Sequence, residues 1–221
     1  ADYTGMDVDL AKYIAKELNL GTPEFVEAVS AQRETLISTG QVKYVVGTYS
    51  ITDARKQTVS FAGPYFIAGQ DLLVRADDTS ITGVESLAGK KLCSVKGSTS
   101  AKNVAAKVPG VNLQEYDTYT LCVDALLAKN VDALTTDDTI LAGYASQEAN
   151  KGKLKVVGKT FSTEKYGVGL KKGDVEFCQK VTDAIKKYVS SGEWQKAVDA
   201  NLGPAGYKPG SANPPTPDAC S

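Results

Sequence analysis

Histidine is absent from the 221 residues. That removes the commonest general base at neutral pH and the commonest metal ligand, so catalysis would fall to carboxylates, lysine, tyrosine or cysteine. No stretch approaches the roughly 18–20 consecutive apolar residues of a membrane-spanning helix. An excess of positive charge is also lacking. The 25 Lys and Arg face 26 Asp and Glu, a formal net charge of -1, which argues against nucleic acid as the main partner. The four cysteines contain no C-x-x-C pair, which counts against zinc and thiol-redox motifs, and no cofactor is implied.

What cysteine there is lies far apart, at Cys93, Cys122, Cys178 and Cys220. An even count at wide spacing suits two disulfides in an exported protein. Three pairings are open. Cys93–Cys122 with Cys178–Cys220 is favoured because each bond stays within one part of the chain. The alternative is four buried thiols in a cytosolic protein. The chain opens at Ala1 with no visible leader, as a processed or trimmed form would.

The length suffices for one large domain or two lobes of about 100 residues each. Asp7 is placed to cap a helix over 8–19, whose Leu10, Ala11, Ile14, Ala15 and Leu18 share a face. Phe25–Val29 reads as a strand. Ser30 then starts a short helix carrying Arg33, and 42–46 is a second strand. This αβαβ order is the rhythm of a parallel sheet. After residue 76 the rhythm restarts. Strands are expected at 92–95, 113–116 and 131–135, with helices at 99–107, 119–128 and 138–147, which points to a second lobe. Strands at 154–157 and 166–170 follow, then an amphipathic helix after Asp174 and a shorter one around Trp194. The tail from 203 holds five of the eight prolines and should be extended, pinned by a Cys178–Cys220 bond.

Three segments join a strand end to a polar turn: Gly47–Arg55, Lys96–Ser100 and Thr135–Asp138. Ligands of open parallel sheets sit beyond the carboxyl ends of strands. The first segment offers the Arg55 guanidinium with Thr48 and Ser50. The second offers Ser98 and Thr99 at a helix start, which favours an anion. The third offers Asp137 and Asp138. Together they suit a zwitterion such as an amino acid. Each has a plainer reading: Arg55 and Arg33 as surface ion-pair partners, Asp137, Asp138, Ser98 and Thr99 as helix caps. The Lys96-Gly97-Ser98-Thr99 run lacks the full phosphate-loop pattern.

Gly5-Met6-Asp7-Val8-Asp9-Leu10-Ala11, Ser50-Ile51-Thr52 with Arg55, Phe61-Ala62-Gly63-Pro64-Tyr65, Leu87-Ala88-Gly89-Lys90 and Thr136-Asp137-Asp138 occur in that order along nearly the whole chain. In combination they resemble the family-3 solute-binding proteins of ABC amino-acid uptake systems, glutamate-binding members above all. The resemblance implies the periplasmic-binding-protein type II clamshell, an α/β fold of two lobes joined by a two-segment hinge. The lobes are expected at 1–74 plus 163–221 and at 75–162. It also implies a monomer outside the cytoplasm, anchored as a lipoprotein through a segment outside this chain, with an ABC permease as partner and no enzymatic role.

By the same resemblance Arg55 grips the ligand α-carboxylate with help from Ser50 and Thr99. Asp137 holds the α-ammonium near Thr48 and the Gly47 carbonyl. Arg33 meets a side-chain carboxylate, with Ser30 one turn earlier. Lys96, Ser98 and Tyr119 lie where further contacts are made. Two features depart from the family pattern. The first strand of lobe one is missing before Gly5, and Lys43 stands where an aspartate is usual. Rival readings are a glutamine or aspartate binder, or a small-acid dehydratase on the same fold using Asp137 or Asp138 as acid or base. A sensory module would need fused membrane or signalling segments.

Overall fold

The computed structural model describes residues 2–221. In chain order the elements are α1 (Met6–Glu17), α2 (Arg33–Ser38), β1 (Tyr44–Val45), α3 (Asp53–Lys56), β2 (Val59–Ala68), β3 (Gln70–Arg75), β4 (Lys91–Val95), α4 (Thr99–Lys107), β5 (Asn112–Tyr116), α5 (Tyr119–Leu127), β6 (Ala133–Asp137), α6 (Asp138–Ser146), β7 (Leu154–Val156), β8 (Glu164–Lys171), α7 (Val175–Ser190) and α8 (Glu193–Asn201). They build two sheets, one of three strands in the order β1-β8-β2 and one of five in the order β5-β4-β6-β3-β7.

The chain passes from the first sheet to the second at Gly69 and returns through residues 158–163. A Cβ at Gly69 would lie 2.9 Å from the Thr160 side chain and 3.0 Å from the Ser162 carbonyl, so the two crossing segments touch where only glycine leaves room. β3 therefore belongs to the second sheet. Gln70–Leu73 pair with β6, and Leu73–Arg75 pair with β7. An expected lobe boundary at 74/75 thus falls several residues too late.

The parallel rhythm read from the sequence holds for β5-β4-β6, whose neighbours run parallel. It fails for the first sheet. β8 returns from the second sheet and inserts between β1 and β2, so both pairings are antiparallel. β2 itself, ten residues long, was not expected as a strand. It is buried on both faces, so no alternation marks it, and its register shifts between Ala62 and Phe66 around Gly63 and Pro64. Conversely, residues 23–29 form no strand. They pair with no neighbouring strand, without which a ladder cannot form, and Val26 is 56% exposed. Lys43 is exposed, above the Phe177 ring.

Packing follows the periodicities. In the second sheet Leu72, Leu92 and Ala133 face α4 through Val104. Their chain neighbours Leu73, Cys93 and Leu134 face Cys122 and Leu126 of α5 and Leu141 of α6. In the first lobe, Leu10 and Ile14 of α1 meet Val181 and Ile185 of α7, with Phe66, Tyr166 and Trp194. Each fully buried side chain of this size contributes about 1.5–3 kcal/mol. The cysteines pair as Cys93–Cys122, tying α5 to β4, and Cys178–Cys220, tying the tail to α7. The tail covers the outer edge of β2. The Asn213 amide bonds both the N–H and the carbonyl of Ile67 at 2.9 Å, and Asp218 N donates to the Gly63 carbonyl at 2.8 Å.

Candidate functional site

Three strand ends and the loops beyond them meet between the sheets. The segment after β1 is pinned to β8: Ile51 N donates to the Lys165 carbonyl and Gly167 N to the Tyr49 carbonyl. Thr48 sits at φ 43°, an uncommon region for a residue with a Cβ. Its N–H donates to Asp7 Oδ2 at 2.6 Å, and Tyr65 Oη donates to Asp7 Oδ1 at 2.6 Å. Asp7 was expected as a helix cap. Gly5 occupies that position instead, and the Asp7 carboxylate in the first turn holds the loop that carries Thr48. Burial raises its carboxyl above the usual range, against the pull of Tyr65 and Thr48.

Two buried guanidiniums flank one ring. Arg33, at the start of α2, lies 4.2 Å above the Tyr49 ring, and Arg55, on α3, lies 5.2 Å from it. Arg33 Nη1 donates to the Gly47 carbonyl at 2.8 Å, while its Nε is buried without a hydrogen-bond partner. Burial and then the charge of Arg55 lower its pKa. Arg55 Nη1 donates to the Ser50 carbonyl at 2.8 Å, and Nη2 reaches across to the Gly97 carbonyl at 3.0 Å. Tyr49 is anchored in turn by its hydroxyl, which donates to Glu34 Oε2 at 3.0 Å.

From the second sheet, Ser98 caps α4 by accepting from Ala101 N at 3.1 Å, which is its plainer reading. Asp137 holds the capping position of α6 but makes no cap. It accepts from Tyr166 Oη at 2.5 Å. Burial pushes its carboxyl up to about 7, with the Tyr166 bond opposing and the Glu164 and Asp138 charges adding to the rise. Burial and then Asp137 also raise the Tyr119 hydroxyl.

Ser30, Arg33, Thr48, Arg55, Ser98, Thr99, Tyr119 and Asp137 line one cavity, with Ser100 and Ile140 beside them. Gly47 and Ser50 stand behind that wall as carbonyl acceptors for the two arginines. Lys96 is elsewhere: it is exposed and paired with Asp117 at 3.0 Å. The Ser50 and Thr99 hydroxyls do not point their protons at the cavity either. Both donate to Glu164 Oε1, at 2.8 and 2.7 Å.

The cavity measures about 10 Å³, which is about one water. A Cβ at Gly97 would lie 2.9 Å from Ala31 Cα. The lobes are closed on each other, and a molecule the size of an amino acid enters only if they part. Tyr49, Tyr166, Asp7 and Glu164 were missed from sequence. Tyr49 lies within the strand-end segment Gly47–Arg55 and Asp7 at a helix start, whereas Tyr166 and Glu164 lie on β8 with no local signal of a site.

Chemically, the cavity offers two fixed cations from the first lobe and one carboxylate from the second. Its donors and acceptors suit gripping a charged ligand.

The profile of bacterial extracellular solute-binding proteins, family 3, matches residues 1–204. The glutamate-binding protein GluB of Corynebacterium efficiens is 45% identical over 212 residues, covering 90% of this chain and 71% of that protein. The glutamine-binding protein GlnH of Bacillus subtilis is 38% identical over 196 residues, 87% of this chain and 70% of that one. Among solved structures, an ancestral arginine-binding protein bound to glutamine superposes with a TM-score of 0.84 at 33% identity, covering 92% of this chain and 89% of that one. The two sheets crossed twice by the chain, the cavity between them and these likenesses agree: the chain belongs to the bacterial extracellular solute-binding proteins of family 3, as an amino-acid-binding member.

Proposed function

We propose that this protein captures L-glutamate between two lobes outside the cytoplasm and delivers it to a membrane permease. The lobes are residues 2–68 with 164–221, and residues 70–157, hinged at Gly69 and at 158–163. The observation that carries the ligand is the charge lining the cavity: Arg33 and Arg55 from one lobe, Asp137 from the other. A molecule with two carboxylates and one ammonium is its complement.

Arg55 takes the α-carboxylate in a two-bond grip, exchanging its bond to the Gly97 carbonyl for the ligand. Asp137 takes the ammonium, near Thr48. Arg33 takes the side-chain carboxylate, beside Ser30 and Tyr119, and its unpartnered Nε gains an acceptor there. Ser98 and Ser50 shape the walls, and Thr99 adds a polar edge. Lys96, exposed and paired with Asp117, makes no ligand contact in this reading. Ligand contacts on both lobes stabilise the closed form over the open one, which is what lets ligand drive closure. The GluB likeness supports glutamate. The two disulfides support an oxidising compartment. A lipid anchor, a permease partner and a monomeric state rest on family membership.

Glutamine would leave the buried Arg33 charge unpaired, a cost of several kcal/mol. Replacing Arg33 by alanine should therefore weaken glutamate about tenfold or more while affecting glutamine far less. Competition binding with both ligands reads the ratio. An unchanged glutamate-to-glutamine preference would remove Arg33 from the site.

A further inference from the structure

Glu164 opens β8 at the point where the chain returns to the first sheet. It is 5% exposed and forms no ion pair among the described residues, an unusual state for a buried carboxylate. Its bonds come from three hydroxyls. Ser50 and Thr99 donate to Oε1, and Ser162 donates to Oε2 at 2.8 Å. Ser50 belongs to the first lobe and Thr99 to the second, so one oxygen atom joins the two walls of the cleft.

The direction of the Thr99 bond follows from its other partner. Asn103 Nδ2 donates to Gln70 Oε1 at 2.8 Å, and Gln70 Nε2 donates to Thr99 Oγ1 at 3.0 Å. Thr99 already accepts, so its proton is free for Glu164. The relay of donors runs along the second lobe and ends on a hinge carboxylate. Backbone pairing of Glu164 with Ala68 fixes that carboxylate to the first lobe beside the pivot. When the lobes part, Thr99 leaves and the bond is lost.

We propose that Glu164 is a positioning residue that clasps the closed form, holding Thr99 of the second lobe to Ser50 of the first. The clasp deepens the two-lobed capture reading and rests on it. It also withdraws both hydroxyl protons from the ligand, leaving Ser50 and Thr99 as acceptors and the α-carboxylate to Arg55.

The test compares wild type with Glu164→Ala, Glu164→Gln and Thr99→Val, using stopped-flow release of glutamate and the radius of gyration without ligand at about pH 6. Glutamine keeps an acceptor oxygen for both hydroxyls. The expected result is release about tenfold or more faster in Glu164→Ala and Thr99→Val, with association little changed and Glu164→Gln close to wild type. Both impaired variants should also be more expanded without ligand. Thr99→Val keeps the test alive if Glu164→Ala does not fold. In the double variant Glu164→Ala/Thr99→Val the two losses should not add. Release and radius unchanged in Thr99→Val, or a glutamine variant as impaired as the alanine one, would overturn the clasp. If wild type binds no glutamate, the ligand reading fails, and the ligand-free radii still decide the clasp.

Discussion

Asp137 works against itself when the lobes close without a ligand. Its carboxyl is buried and raised from 3.8 to about 7, chiefly by burial. The closed form therefore holds a proton that an open, solvated Asp137 gives up. Closure without ligand is most favoured below the open-state pKa, weakens by up to tenfold per pH unit between that pKa and about 7, and levels off above about 7. Small-angle scattering of the ligand-free protein should show a larger radius of gyration at about pH 8 than at about pH 5. In Asp137→Asn the same curve should be flat and compact, with amino-acid affinity reduced about a hundredfold or more because the ammonium loses its counter-charge. An Asn variant that still expands with pH would locate the titrating group elsewhere. The residues of this site were partly legible in the sequence. Arg55, Asp137 and Thr99 stand in strand-end motifs, Arg33 was pointed to only by the family resemblance, and all four line one cavity. Glu164 and Tyr166 were not legible, because their meaning comes from partners 65 and 29 residues away in the chain.

Among the elements, the turn between β4 and α4 decides how near the lobes can come. Gly97 has φ 76°, and a Cβ there would meet Ala31 Cα at 2.9 Å. The positive φ suits glycine alone, and the close approach exists only in the closed form. Gly97→Ala should therefore lower ligand affinity by about tenfold or more, while costing only about 1 kcal/mol of stability from backbone strain. Binding and thermal unfolding measured side by side separate the two effects; wild-type affinity in a folded Gly97→Ala would show that the lobes do not close at this turn. Most elements of the second sheet could be read directly. The helix at 99–107 has a clear cap in Ser98, and the strand at 92–95 has a short apolar run. β2 could not, since Gly63 and Pro64 break the pattern inside a strand buried on both faces. Phe25–Val29 has the composition of a strand but pairs with no strand among the described residues.

At the level of the whole molecule, two cores are joined by two crossings, and the cleft is closed by a few polar bonds. Arg55 to Gly97, Glu164 to Thr99, Tyr166 to Asp137 and Tyr207 to Asp138 cross it. Such bonds exchange easily for ligand bonds, unlike a packed apolar interface. The two-lobe plan was visible in the restarted αβ rhythm. The crossing point was not, because β2 carries no readable strand pattern and only Gly69 separates it from β3. Two cations and one carboxylate should select an amino acid with two carboxylates. Isothermal titration calorimetry with glutamate, aspartate, glutamine and arginine tests it most directly. Saturable glutamate binding is expected near micromolar or tighter, about a hundredfold stronger than glutamine, with no heat from arginine. Saturable binding of arginine or glutamine with none of glutamate would contradict it.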